Sequence, residues 1–228
     1  MPSYPPSPEE LDSLVAYYEE RASLFRQFVE NLRVMFAESV ELKPLIHSMR
    51  GRIKEPSHLR DKLQRKLAKY REAGRDWDIT SENLFERVTD LTGFRILHLH
   101  TSQFAAINAI ILRLLDENRY PVLEGPIART WDEEYGAYFK SLGVETQQSP
   151  RMYTSVHYVV ETNTKTKYTA EIQLRTLAEE LWGEVDHLIN YPTVSTKLAC
   201  REQIKVLARM TSSCTRLVDS IFRTHHET

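Results

Sequence analysis

Two short runs in the last third of the chain constrain the fold more than any other feature: Ser155-Val-His-Tyr-Val-Val-Glu161 and Lys167-Tyr-Thr-Ala-Glu-Ile-Gln-Leu174. Both alternate apolar and polar side chains, and only Thr162-Asn-Thr-Lys-Thr166 separates them, so they read as an antiparallel hairpin. Successive side chains of a strand point to opposite faces, which puts Thr169, Glu171 and Gln173 together on one face. The other face is apolar and needs helices against it.

The rest of the chain supplies them. Ser7-Pro8-Glu9-Glu10 has the spacing of a capping box with proline at the first helical position, and Leu11, Leu14, Val15, Tyr18, Ala22, Phe25, Val29, Leu32 and Phe36 continue at helical spacing. This predicts one long N-terminal helix to about Val40. A second helix runs from Pro56 to Arg71, with Leu59, Leu63 and Leu67 on one side, a dense basic face opposite, and Gly74 beyond its end. Phe94–His100 alternates like a strand, Phe104–Leu115 has a helical period, and a further strand opens at Pro121. Gly125–Pro150 reads as a long functional loop with room for one short element. A helix over Thr176–Ile189, stopped by Pro192, and a last helix over Ser195–Phe222 complete an α/β (α+β) expectation: a mixed sheet flanked by helices, with extensions at 1–44 and 193–228 around a unit at 45–192.

Thirty basic against 32 acidic residues give a net charge of -2, which excludes the overall cationic field of non-specific nucleic-acid binders. Any polyanion must meet a local cluster. Cys200 and Cys214 lie too far apart along one helix to pair, and no uncharged apolar stretch approaches the ~18 residues of a membrane span. Met1-Pro-Ser-Tyr-Pro-Pro6 lacks the pattern of a secretory leader. A cytoplasmic protein without membrane partners is expected.

Three constellations could carry chemistry. Arg50, Arg52, Lys54, Arg60, Lys62, Arg65 and Lys66 form a basic cluster, although neither a P-loop nor a glycine-rich dinucleotide motif accompanies it, and a solvated helix face is the plainer reading. Asp90, just before a strand, and Glu171, within one, form a pair of acids. Mg²⁺ bound together with nucleotide phosphates needs only one or two carboxylates, so two suffice. Tyr153-Thr-Ser-Val-His157 offers a ring for base stacking and a histidine whose plainer reading, taken alone, is a satisfied structural residue.

In order along the chain, Gly51-Arg-Ile-Lys-Glu-Pro56, Asp90-Leu-Thr-Gly-Phe-Arg95, Tyr153-Thr-Ser-Val-His157, Glu171-Ile-Gln-Leu-Arg-Thr176 and Trp182-Gly-Glu-Val-Asp-His187 resemble the synthetase domain of the RelA/SpoT alarmone family, over about Leu45–Pro192. The resemblance implies a nucleotidyltransferase-like fold and transfer of pyrophosphate from ATP to the ribose 3′-hydroxyl of GDP or GTP. By position, Arg52 and Arg95 match the arginines that sandwich adenine, and Lys54 and Lys62 match cations on the ATP phosphates. Asp90 and Glu171 match the Mg²⁺ carboxylates, Glu171 also being the candidate acceptor of the hydroxyl proton. Tyr153, His157 and Gln173 match contacts to the acceptor nucleotide.

The chain departs from the family pattern at two points. Met152 stands where a glycine commonly precedes the tyrosine, after Gln147-Gln-Ser-Pro-Arg151 rather than a lysine-bearing stretch, so Arg151 becomes the candidate phosphate anchor. His58, with Ser57 beside it, stands where a phosphate-binding serine is expected. No His-Asp pair of a hydrolase precedes Leu45, so the resemblance is to a stand-alone small alarmone synthetase, whose relatives assemble into homo-oligomers through terminal helices. Toxic relatives that use adenine nucleotides or the 3′ end of tRNA as acceptor, and an inactive nucleotide sensor, are the alternatives.

Overall fold

The computed structural model describes residues 6–190 and 193–226; Pro192 and most of the Met1–Pro6 segment lie outside them. Six strands form one mixed sheet in the order β1 (Ser48–Ile53), β2 (Thr92–His98), β6 (Thr169–Thr176), β5 (Ser155–Glu161), β3 (Val122–Thr130) and β4 (Glu145–Gln148). The expected hairpin is β5–β6, antiparallel with Tyr158 opposite Ile172, and β2 lies parallel to β6 with Phe94 opposite Ile172. Register therefore stacks Phe94, Ile172 and Tyr158 on one face, and Arg95, Gln173 and His157 on the other.

The apolar face is covered by α1 (Pro8–Glu20), α2 (Ala22–Ala37) and α5 (Phe104–Glu117). From α2, Phe25, Phe28, Leu32 and Phe36 are at most 1% exposed, each worth roughly 1.5–3 kcal/mol of burial. Phe36 packs on Phe94, and Phe25 and Phe28 pack on Tyr168. The capping box is present, with Ser7 Oγ accepting from Glu10 N and Glu10 Oε2 accepting from Ser7 N.

The single N-terminal helix expected from periodicity is two. α1 ends at Arg21, whose N–H donates to Tyr18 O at 3.0 Å and whose guanidinium lies over the Tyr17 ring. The break lets α1 lean on α3 (Pro56–Glu72) while α2 lies against the sheet, which one straight rod could not do. At the first contact the Tyr18 hydroxyl donates to the buried Lys54 carbonyl at 2.6 Å.

Two further differences concern the basic segment and the presumed loop. Ser48–Ile53 is the edge strand β1, antiparallel to β2, with Arg50 and Arg52 exposed on the polar side and Gly51 against Phe94 and α2. The Gly125–Pro150 stretch holds most of β3, then α6 (Glu133–Ser141), capped by the Asp132 carboxylate, and β4. Beyond α4 (Leu84–Arg87), α7 (Leu177–Asn190) follows β6 directly, and α8 (Leu198–His226) packs along it.

Candidate active site

The polar face of the sheet is the floor of a cleft. Glu171 and Gln173 of β6, Arg95 of β2, Arg52 of β1 and His157 of β5 all reach it, as strand parity requires. α3 supplies one wall, α7 the other, and residues 149–154 the rim. The cleft has two lobes of about 460 and 450 Å³ that share Arg52, Lys62, Asp90 and His187. Each lies within the size range of small-molecule sites.

In the lobe beside α3, Asp90 lies 2.7 Å from Lys62 Nζ and 3.3 Å from Lys54 Nζ. Lys54 is only 8% exposed, and burial drives its ammonium pKa down despite the attraction of Asp90. Burial works to raise the Asp90 carboxyl, but Lys62 and Lys54 outweigh it and the net shift is downward. Arg65, Lys66 and Lys69 extend the same wall along α3, and His58 lines it. Ser57 is exposed on the first turn of α3 and is not among the residues lining either lobe.

In the other lobe the Glu171 carboxylate sits 2.7 Å from His157 Nδ1 and accepts from Gln173 Nε2 at 3.1 Å. Burial would raise its pKa, yet these hydrogen bonds and the His157 charge carry it down to about 2. His157 Nε2 is buried with no hydrogen-bond partner among the described residues, although the residue lines the cleft. The Tyr153 ring stacks beside Trp182 of α7 at 6.1 Å, and Trp182 Nε1 is fixed by Ile204 O of α8. Arg151 is well exposed, 4.0 Å from Asp186. Met152 between them has φ 63°, the left-handed region that favours glycine.

Of the sequence-derived residues, Ser57 lines neither lobe, Arg60 of the basic cluster turns to Asp12 of α1 and Arg50 lies outside both lobes, while the others come together in the cleft. The structure adds Arg129 of β3, whose charge also holds Glu171 ionised, together with Glu124, Arg175 and His187. Arg129 was hidden because its segment reads as loop; Arg175 and His187 lie inside quoted motifs, but nothing in their spacing distinguishes them. On a protein of net charge -2 the cleft gathers a local excess of arginine and lysine around two ionised acids. Among the described residues no third His, Cys, Asp or Glu completes a metal cage. Two hard carboxylates, with the His157 imidazole beside them already engaged with Glu171, suit a magnesium ion that takes its remaining ligands from phosphate and water.

A two-lobed cleft on a mixed sheet, walled by lysine and arginine around two acids, is the class of site that results. Residues 51–196 match the model of the region found in RelA/SpoT proteins, well over half the chain, and the chain belongs to the RelA/SpoT family. Its fold is that of small alarmone synthetase 1 from Bacillus subtilis, with a TM-score of 0.62 at 20% identity over 92% of this chain and 98% of that one. A GTP pyrophosphokinase family protein from Streptococcus pneumoniae is similar to the same degree: TM-score 0.62, 18% identity, 93% and 94% covered. Small alarmone synthetase 2 from Bacillus subtilis follows at a TM-score of 0.56, 18% identity, 92% and 97% covered. No curated protein sequence matches the chain.

Proposed function

We propose that this protein is a magnesium-dependent pyrophosphokinase that moves the terminal diphosphate of ATP onto the ribose 3′-hydroxyl of GDP or GTP, forming ppGpp or pppGpp. The observation that carries this reading is the position of Asp90 and Glu171, two ionised acids where a lysine-walled lobe meets an aromatic one. Support also comes from the fold neighbour in Bacillus subtilis, solved with its product pppGpp and with AMPCPP.

In this reading the lobe beside α3 takes ATP. Planar guanidinium groups of Arg52 and Arg95 hold the adenine, while Lys54 and Lys62 turn from Asp90 to the phosphates, with His58 at the rim. Tyr153 stacks on the guanine of the acceptor, Arg151 anchors its 5′-phosphates, and Gln173 and His157 Nε2 meet its ribose side. Magnesium held by Asp90 and Glu171 would neutralise charge on the diphosphate and acidify the bound hydroxyl. The 3′-oxygen bonds to the β-phosphorus, the bond from that phosphorus to the α,β-bridging oxygen breaks, and AMP leaves. Glu171 is the acceptor for the hydroxyl proton; with a pKa of about 2 it is ionised at any working pH but a weak base, so its first duty is charge and position.

The test is transfer of label from γ-labelled ATP with Mg²⁺ to GDP or GTP, lost in Asp90→Asn. ADP and deacylated tRNA are offered in parallel, because the altered rim at Met152 and the cations Arg65, Lys66 and Lys69 favour an acceptor other than guanine nucleotide as the second reading. Label on either would keep the chemistry and replace the acceptor; steep loss of tRNA labelling with salt would mark the basic wall as its path. A homo-oligomer is part of the proposal, supported by Val206, Met210, Leu217 and Ile221 exposed along α8; a solution mass of 26.7 kDa would end it. No helix among the described residues is long and apolar enough to cross a membrane, and a cytoplasmic location is proposed with the activity.

A further inference from the structure

A glycine in the middle of a helix costs about 1 kcal/mol relative to alanine, so Gly183, inside α7, calls for a reason. The reason lies across the helix: a Cβ on Gly183 would overlap Nη1 of Arg175. The Arg175 guanidinium is nearly buried and rests on the bare backbone of α7. Its Nη2 donates to Gln173 Oε1 at 2.8 Å, and Gln173 Nε2 in turn donates to Glu171 Oε2 at 3.1 Å. On its other side Arg175 Nε lies 3.2 Å from Glu180 Oε2, while Glu180 Oε1 accepts from Arg95 Nη1 at 2.8 Å. One carboxylate of α7 therefore holds two arginines. From one of them a chain of hydrogen bonds runs to the catalytic carboxylate, and the other is an adenine-holding residue.

We propose that Arg175, seated on Gly183 and bridged to Arg95 by Glu180, is a positioning residue that sets Gln173 and Glu171 of β6 and Arg95 of β2, which line one lobe of the cleft together, as one unit. This rests on the function proposed above for its two half-sites. Arg175 lines the cleft with only 11% of its side chain exposed, and its bonds go to Gln173 and Glu180. An arginine is required because one planar group must donate to Gln173 through Nη2 while its charge lies against Glu180 on the other side, a span that a compact ammonium group cannot cover. Gly183 is required because any side chain there lifts that fork from its seat.

The experiment is steady-state kinetics with ATP and GDP on the full chain, comparing wild type, Gly183→Ala, Arg175→Lys and the double variant. Gly136→Ala is the matched control, a helix glycine in α6 where an added methyl meets only Thr130 Cγ2 at 3.7 Å. Gly183→Ala is expected to raise the KM for both nucleotides and lower kcat/KM on the order of 10- to 100-fold, the cost of displacing reacting groups by about an ångström. Alanine is the better helix former, which offsets part of the cost of shifting the guanidinium, so the melting temperature should move far less than the kinetics do. In the Arg175→Lys background the same substitution should change little, since the clashing fork is gone. Gly183→Ala kinetics indistinguishable from the control, or effects that multiply in the double variant, would overturn the proposal. If Arg175→Lys does not fold, the comparison of the two alanine variants decides alone. Should the wild type bind a nonhydrolysable ATP analogue yet transfer nothing to GDP, the function reading falls by itself. The positioning proposal is then read from analogue affinity, about tenfold weaker in Gly183→Ala if it holds and unchanged if it does not.

Discussion

The lobe assigned to ATP and the lobe assigned to the acceptor are built by opposite means. The first is cross-linked by charge beside regular elements: Lys54, one residue past β1, and Lys62 of α3 grip Asp90, two residues before β2. The second hangs from a short rim, residues 149–154, fixed by packing on Trp182 and by the Thr154 N–H, which donates to the buried Glu179 carboxylate at 3.1 Å. Strand and helix positions preorganise charged groups within narrow limits, whereas a rim can change sequence without disturbing the sheet. The departures from the family pattern at Arg151 and Met152 fall on the rim; those at Ser57 and His58 occupy only the first turn of α3.

The sharpest way to break this contrast is Asp90→Asn. It removes the charge on which Lys54 and Lys62 converge, and should lower transfer on the order of 10³-fold, about 4 kcal/mol, in the labelled-ATP assay. Retained activity would mean that the acids do not carry the chemistry. Next comes Glu179, 3% exposed, whose carboxyl burial pushes from 4.5 to about 7 despite the Thr154 hydrogen bond and Arg175. Between pH 4.5 and 7 the folded chain binds a proton that the unfolded chain has released, so this group's contribution to stability is full below 4.5 and falls as pH rises through 7. The loss is on the order of 3 kcal/mol. Glu179→Gln should therefore raise the melting temperature at pH 8 and flatten its pH dependence; an unchanged slope would mean that the carboxylate is solvated after all.

Arg151→Ala tests the rim itself. The acceptor KM should rise about tenfold, near 1.4 kcal/mol, with the KM for ATP unchanged; equal effects on both would erase the distinction between the lobes. The smallest expected effect is Met152→Gly. Relief of the left-handed backbone gains about 1 kcal/mol, loss of the packing on the Trp182 cluster costs a similar amount, and net stability should move by less than about 1 kcal/mol. A shift of several kcal/mol in chemical denaturation would show that one term dominates.

The sheet was legible where alternation is clean. Ser155–Leu174 announces β5 and β6, and parity alone puts Glu171 and Gln173 on the cleft floor. β1 was hidden because its alternation is arginine against glycine and methionine, which reads as a basic cluster until the apolar cover of α2 is seen. α6 and β4 are short and weakly patterned; what makes them is tertiary, the Asp132 cap tied to Ser212 and Arg216 of α8. The break at Arg21 leaves no glycine or proline as a mark. Asp90 could be assigned from its place before a strand, but the lysines that hold it are 28 and 36 positions upstream in the sequence, and no periodicity links such distances. The Arg175–Glu180–Arg95 bridge is invisible for the same reason.

The hydrogen bond from Tyr18 to the Lys54 carbonyl separates two boundaries that are easily taken for one. The stretch shared with the family begins at residue 51, but a polypeptide cut there would bare Phe94 and Tyr168, which α2 covers, and leave the backbone carbonyl of Lys54 without its anchor. The unit that inherits the chemistry is smaller than the unit that folds, and a truncation that respects only the first should lose both.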